Sequence, residues 1–183
     1  MMLVRQAYPS DAPAIARIHV ETWRATYAGL LPDRVLAGMR ELNHRASWNS
    51  LLMGQRGGEL VLVAEEDEVG VVGFVSAGRA RGPLERYDGE VYTLYVAPDF
   101  QNRGVGTRLL EGAFQRLDER EFRSAMLWVL ARNPSRFFYE TMGGAAVATR
   151  KERLWGVVVR EIAYGWPDLA RALNRSSDGA KAD

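Results

Sequence analysis

The run EVYTLYVAPDFQNRGVGTRLL, residues 90–110, constrains this chain more than any other stretch. Its first part is rich in β-branched and aromatic residues, as a strand is, and Pro98 ends it. Gly104 and Gly106 then open a segment in which Val105, Leu109, Ala113 and Leu117 recur at helical spacing. A strand that turns through glycines into a helix leaves the helix's first N–H groups without intrahelical partners, and with the positive end of the helix dipole they favour an anion. Arg103 and Arg108 add formal charge. The dinucleotide fingerprint G-x-G-x-x-G fails because Leu109 stands at its third glycine, and no G-x-x-x-x-G-K-[ST] run exists. Two readings stand: an anion cradle built from the N–H groups of Arg103 to Arg108, or a tight turn that the glycines merely permit.

The flanking pattern predicts an α+β fold. LVRQAY alternates as a short strand, and Ser10 is placed to cap a helix in which Ile15, Ile18, Thr22 and Trp23 share a face before Gly29 stops it. LLPDRVLAGM and ELNHRASWNSLLMG read as two further helices, with Pro32 near the start of the first. ELVLVAEED and EVGVVGFVSAGRA read as a hairpin turning near Asp67, and the loop RGPLERYDG leads into the strand of the opening run. After the glycine helix come strand SAMLWVL, helix NPSRFFYETMG, and strands AAVATRK and RLWGVVVREIAYGW around a turn near Glu152. Hairpins early and late in the chain favour a mixed, mainly antiparallel sheet flanked by helices over a doubly wound one. A single domain over residues 1–168 and a polar, unordered tail over 169–183 are expected.

Composition narrows the chemistry. Lys and Arg number 24 against 23 Asp and Glu, so no global field draws the chain to nucleic acid or an anionic membrane. No apolar run approaches the ~20 residues of a membrane span, and the first residues lack a secretory signal's features, which predicts a cytoplasmic protein without membrane attachment. With no cysteine, disulfides, thiolate metal sites and a cysteinyl acyl-enzyme are excluded. His19 and His44 are not close in sequence, so no metal site is expected and both read as helix-surface or packing residues. Phe74 in GFVSAG stands where a nucleophile elbow around Ser76 needs glycine, which disfavours a serine hydrolase.

Val96, Ala97 and Pro98 followed by Gln101-Asn102-Arg103-Gly104-Val105-Gly106 resemble the Q/R-x-x-G-x-G/A signature of the GNAT superfamily of N-acetyltransferases. The strand EVYTLYV before it, MLWVL after it and NPSRFFYETMGG next resemble the family's successive elements, over about residues 3 to 165. The resemblance implies the family's twisted mixed sheet, acetyl-CoA as cosubstrate, and a pyrophosphate loop formed by Gln101, Asn102, Arg103, Gly104, Val105, Gly106, Thr107 and Arg108. It also implies that backbone groups of Leu94, Tyr95 and Val96 pair with the pantetheine chain like an added strand, one N–H polarising the thioester, and that Asn133 contacts the same chain. Asn133 reads independently as a helix N-cap before Pro134.

Acetyl transfer to an amine needs a neutral amine, a stabilised oxyanion and a proton for the leaving thiolate. An alkylamine with a pKa of ~10.4 must lose a proton first, and the family's strand before the loop can carry a base, which here is Glu90. The alternative for Glu90 is a solvated residue at a strand start. Tyr139 matches the family's tyrosine near the CoA sulfur, and its phenol, pKa ~10, can support a thiolate of ~8.5; otherwise it is an aromatic core residue. Direct transfer in a ternary complex is the simplest mechanism left. Trp23 and Tyr27, i and i+4 on one helix, with Tyr92, are candidate acceptor contacts, although such a pair is equally a core pair. The acceptor is expected to be a polyamine, an amino acid or similar small amine, or a peptide N-terminus, and family habit implies a homodimer. The competing class is a non-catalytic CoA-binding or regulatory module that retains the loop.

Overall fold

The computed structural model describes residues 1–54, 58–82, 84 and 86–179. Pro83 and Glu85 of the predicted loop, and residues 180–183 of the predicted tail, lie outside the described residues. In chain order the elements are β1 (Met2–Gln6), α1 (Ala12–Tyr27), α2 (Asp33–Gly38), α3 (Glu41–Gly54), β2 (Leu60–Glu66), β3 (Gly70–Arg79), β4 (Gly89–Val96), α4 (Val105–Glu119), β5 (Ala125–Leu130), α5 (Arg136–Thr141), β6 (Ala145–Leu154), β7 (Val157–Trp166) and α6 (Leu169–Gly179). The strands form one sheet in the order β1-β2-β3-β4-β5-β7-β6. β1 with β2, β5 with β7 and β6 with β7 are antiparallel, while β4 and β5 run parallel through Gly89↔Ala125 and Glu90↔Met126. The expected mixed, mainly antiparallel α+β sheet is therefore present. No helix among the described residues is long and apolar enough to cross a membrane.

Two compact units share the chain, Met1–Ser76 with Thr93–Leu110, and Ala77–Tyr92 with Glu111–Asp183. In the first, the apolar face of α1 packs with α3, β2 and β3 through Ile15, Ile18, Trp48, Val63 and Phe74. Burial of such side chains contributes roughly 1.5–3 kcal/mol each. α1 does not start as its sequence suggests. Ser10 lies in a 3-10 turn over Pro9–Asp11, and the buried Asp11 accepts from the Tyr8 N–H and both terminal nitrogens of Arg5, so this anchored carboxylate rather than Ser10 fixes the helix entry. Gly29, with φ 72°, does end the first helix.

In the second unit Tyr87, Met126 and Ala163 form one cluster, and Phe114 meets Trp166 edge-on at 5.0 Å between centroids. Two sequence expectations are corrected here. The β6–β7 turn is not near Glu152, which pairs with Val159 inside the ladder; it is Trp155-Gly156, both at positive φ (50° and 81°), the arrangement whose twist suits a two-residue hairpin. Residues 169–179, expected as part of an unordered tail, form α6, and Leu169 is fully buried with its N–H donating to the Arg123 carbonyl.

Candidate functional site

The glycine turn belongs to the first unit. Asn102 and Gly104 both hold positive φ (59° and 77°), and α4 starts at Val105. A Cβ on Gly104 would meet nothing within 4 Å, so glycine is there for its backbone conformation and the open space beside it. The Arg108 N–H closes the first helical turn onto the Gly104 carbonyl at 3.1 Å, which removes it from the predicted cradle. Ahead of it, the N–H groups of Gly104, Val105, Gly106 and Thr107 donate to no acceptor among the described residues, as the first turn of a helix requires. The Val105 side chain is buried and can serve only through its backbone. Arg103 lies over the Phe100 ring at 5.1 Å, and the Arg108 guanidinium donates to the Met2 carbonyl at 3.3 Å.

Gln101 locks the turn. Its Nε2 donates to the Val96 carbonyl at 3.1 Å, and Thr22 Oγ1 reaches the same oxygen at 3.4 Å. The Val96 carbonyl is thus occupied, and Val96 can offer a ligand only its N–H. Leu94 is half-buried, while Tyr95 stacks on His19 at 5.3 Å and meets Phe74 edge-on. His19 and His44, distant in sequence, lie with ring centroids 4.4 Å apart. Nδ1 of His19 accepts from Trp48 Nε1 at 3.3 Å. Burial, reinforced by the charge His44 would carry, pushes His19 down to about 4. Among the described residues no three metal-ligating side chains come together. Trp23 and Tyr27 pack edge-on at 4.8 Å, with Tyr27 buried and Trp23 half-buried.

The second unit holds the predicted chemistry-bearing residues. Glu90 is 7% exposed, so the solvated reading is wrong. Its Oε2 accepts the Arg81 N–H at 2.7 Å. Burial raises the carboxyl above its ordinary pKa, against the opposing pull of that hydrogen bond and of the Arg81 and Arg150 charges. Tyr92 donates its hydroxyl to the Arg79 carbonyl at 2.6 Å, and the Arg81 guanidinium covers its ring at 3.6 Å. Asn133 is buried and its Oδ1 accepts the Ser135 N–H at 2.9 Å, so it caps the turn that feeds α5, although the helix proper begins at Arg136. Tyr139, on α5, is 8% exposed and packs among Phe138, Tyr164 and Trp166. Beside it, Tyr164 donates to Glu140 Oε1 at 2.6 Å, which with burial raises the Tyr164 phenol. Arg81 escaped sequence reasoning because it stands nine positions before Glu90 and the two meet only in the folded chain, which no spacing rule marks.

The model of the acetyltransferase (GNAT) family matches residues 14–144. An uncharacterised N-acetyltransferase of Bacillus subtilis, YuaI, is 35% identical over 170 residues, covering 93% of this chain and 95% of its own. Among solved structures, PaiA N-acetyltransferase of Thermoplasma acidophilum, in complex with coenzyme A, superposes with a TM-score of 0.69 at 18% identity over 91% of this chain and 99% of that one. YncA of Salmonella typhimurium, solved with its cofactor acetyl-CoA, gives a TM-score of 0.66 at 22% identity over 92% of this chain and 94% of that one.

Proposed function

The chain belongs to the acetyltransferase (GNAT) family, and on that premise we propose that it transfers acetyl from acetyl-CoA directly to the amine of a small molecule in a ternary complex. The observation that carries the donor half is the set of undirected N–H groups at Gly104, Val105, Gly106 and Thr107, held open by the positive φ of Asn102 and Gly104. Such groups at a helix start suit a pyrophosphate, and Arg103 supplies a neighbouring charge. Gln101 and Asn102 shape the loop, and Thr107 and Arg108 close it. Backbone groups of Leu94, Tyr95 and Val96 pair with the pantetheine amides like an added strand, one N–H there polarises the thioester carbonyl, and Asn133 contacts the same chain.

In the transfer step the amine lone pair attacks the thioester carbonyl, the C–S bond breaks, and the acetyl group leaves on nitrogen as an amide. The amine's proton passes to Glu90, directly or through water, and the thiolate receives a hydrogen bond and then a proton from Tyr139. A carboxyl raised by burial suits the base role, because a stronger base takes a proton from an ammonium with a smaller mismatch. Trp23, Tyr27 and Tyr92 bear on the acceptor.

CoA or acetyl-CoA is expected to raise the melting temperature, while ATP and NAD at equal concentration do so much less. Equal stabilisation by all three contradicts the donor assignment. Stabilisation by CoA without turnover on any amine favours the regulatory module that keeps only the loop.

A further inference from the structure

Tyr139 is carried on α5, a helix of 6 residues, Arg136–Thr141. A helix so short does not hold its place alone, since isolated helices below about 12 residues are marginal in water. Whatever anchors α5 therefore aims the Tyr139 hydroxyl. Asn133 anchors the turn before it, through the Ser135 N–H. At the other end β7 and the turn into β6 hold it, all within the second unit. Tyr164 donates its hydroxyl to Glu140 Oε1 at 2.6 Å, and Trp166 Nε1 donates to the Met142 carbonyl at 2.9 Å. Gly143, at φ 82°, turns the chain, and the Gly144 N–H returns to the Tyr139 carbonyl at 2.9 Å. A Cβ on Gly144 would lie 2.7 Å from the Trp166 ring, so the turn passes directly against that ring.

Tyr164 and Trp166 stand two residues apart on β7 and so share a face. The Tyr139 ring packs against both, with centroids 6.1 Å and 6.5 Å away. Trp166 also meets Phe114 and serves the core of the unit. Tyr164 differs, because its ring is buried while its hydroxyl grips a carboxylate whose side chain is 47% exposed. Glu140 is the residue after Tyr139, and Arg136, one turn back on α5, lies 3.8 Å from the same Oε1. A bond from a hydroxyl to a carboxylate is shorter and about twice as strong as one between neutral groups, and 2.6 Å fits it. Burial, and then the bond to Glu140, raises the Tyr164 phenol above its ordinary value, so it stays a committed donor. Its proton is directed at Glu140, which leaves the thiolate to Tyr139.

We propose, on the premise that Tyr139 is the acid of the transfer, that Tyr164 is its positioning residue: by bonding Glu140 it fixes the rotation of α5 that aims the Tyr139 hydroxyl at the CoA sulfur. Misplacement of a reacting group by about 1 Å costs up to about 100-fold in rate. Tyr164 is one of several anchors on α5, so the loss of its bond alone is expected to cost about 5- to 10-fold.

The test measures kcat and KM for acetyl-CoA by CoA release, with whichever of an amino acid, spermidine, an aminoglycoside or an alanine-initiated peptide turns over fastest. Tyr164→Phe keeps the ring and removes only the hydroxyl; it is expected to lower kcat about 5- to 10-fold and leave KM for acetyl-CoA within about twofold. Glu140→Ala is expected to match it, and Glu140→Gln, which keeps an acceptor for the hydroxyl, to retain most of kcat. Glu140 is on the surface, so its variants carry the comparison even where Tyr164→Phe does not fold. In a Tyr139→Phe background Tyr164→Phe is expected to cost nothing further, because no hydroxyl is left to aim. A full kcat in Tyr164→Phe, the same loss in both backgrounds, or equal losses in Glu140→Gln and Glu140→Ala overturns the inference and leaves Tyr139 as the acid. An unchanged kcat in Tyr139→Phe, or no turnover on any of these amines, overturns the acid role and the positioning role together.

Discussion

The sharpest stability prediction concerns His19, whose ring is enclosed by Trp23, His44, Trp48, Phe74 and Tyr95. In the unfolded chain it titrates near the ordinary 6.5, and in the folded protein burial and then His44 push it down to about 4. The unfolded state therefore binds the extra proton between these two values, and stability is lost as pH falls through that window. One pKa unit is worth about 1.4 kcal/mol, so the full loss is roughly 3 kcal/mol, and the part between pH 7 and pH 5 is about 2 kcal/mol. His44, also lowered by burial, acts in the same sense, whereas Glu90, raised by burial, acts in the opposite one. Comparison with His19→Gln, which keeps an acceptor for the Trp48 N–H, isolates the His19 share. Urea unfolding followed by tryptophan fluorescence at pH 7, 6 and 5 is expected to show the wild type losing about 2 kcal/mol more than the variant across that range. Parallel losses in the two proteins refute the reasoning and place the acid sensitivity elsewhere.

Three further outcomes are expected. Tyr139→Phe should lower kcat by about 10- to 100-fold with a much smaller change in KM for acetyl-CoA, measured by CoA release; an unchanged kcat removes its acid role. Glu90→Gln should lower kcat/KM by about 100-fold and abolish its rise with pH, a rise whose midpoint in the wild type sits above the ordinary carboxylate value because Glu90 must be ionised to act. The same change should raise the melting temperature at neutral pH, since it removes a buried charge whose folded pKa is raised and whose cost grows as pH rises. Gly89→Ala should cost about 2 kcal/mol in urea unfolding, because its Cβ would lie 2.7 Å from the Ser124 carbonyl on the first rung of the β4–β5 ladder.

What the sequence made legible was what is local in the chain. The glycine turn, the order of strands and helices, and the helical stripe of Val105, Leu109, Ala113 and Leu117, all buried, follow from neighbouring residues and their periodicity. What stayed hidden depends on residues far apart. The burial of Glu90 needs Arg81 to fold back onto it, and the His19–His44 pair needs α1 and α3 to pack across 24 intervening positions. The final hairpin turn was misplaced because charged residues around Glu152 resemble a turn, while a tryptophan at positive φ is a poor turn signal; the glycine after it was the usable clue. In α6 the polar residues of NRSSDG mask a helix that begins on the buried Leu169. The loop resembles the family's pyrophosphate signature, and nothing in it marks the acceptor.

The central claim is group transfer from acetyl-CoA to an amine. Its most direct measurement is a turnover screen in which CoA release and N-acetyl product are quantified together across amino acids, polyamines, aminoglycosides and N-terminal peptides. The account predicts that the two products appear in a one-to-one ratio with at least one amine, and that the rate depends on that amine's concentration. Binding of acetyl-CoA with no N-acetyl product from any of them contradicts it.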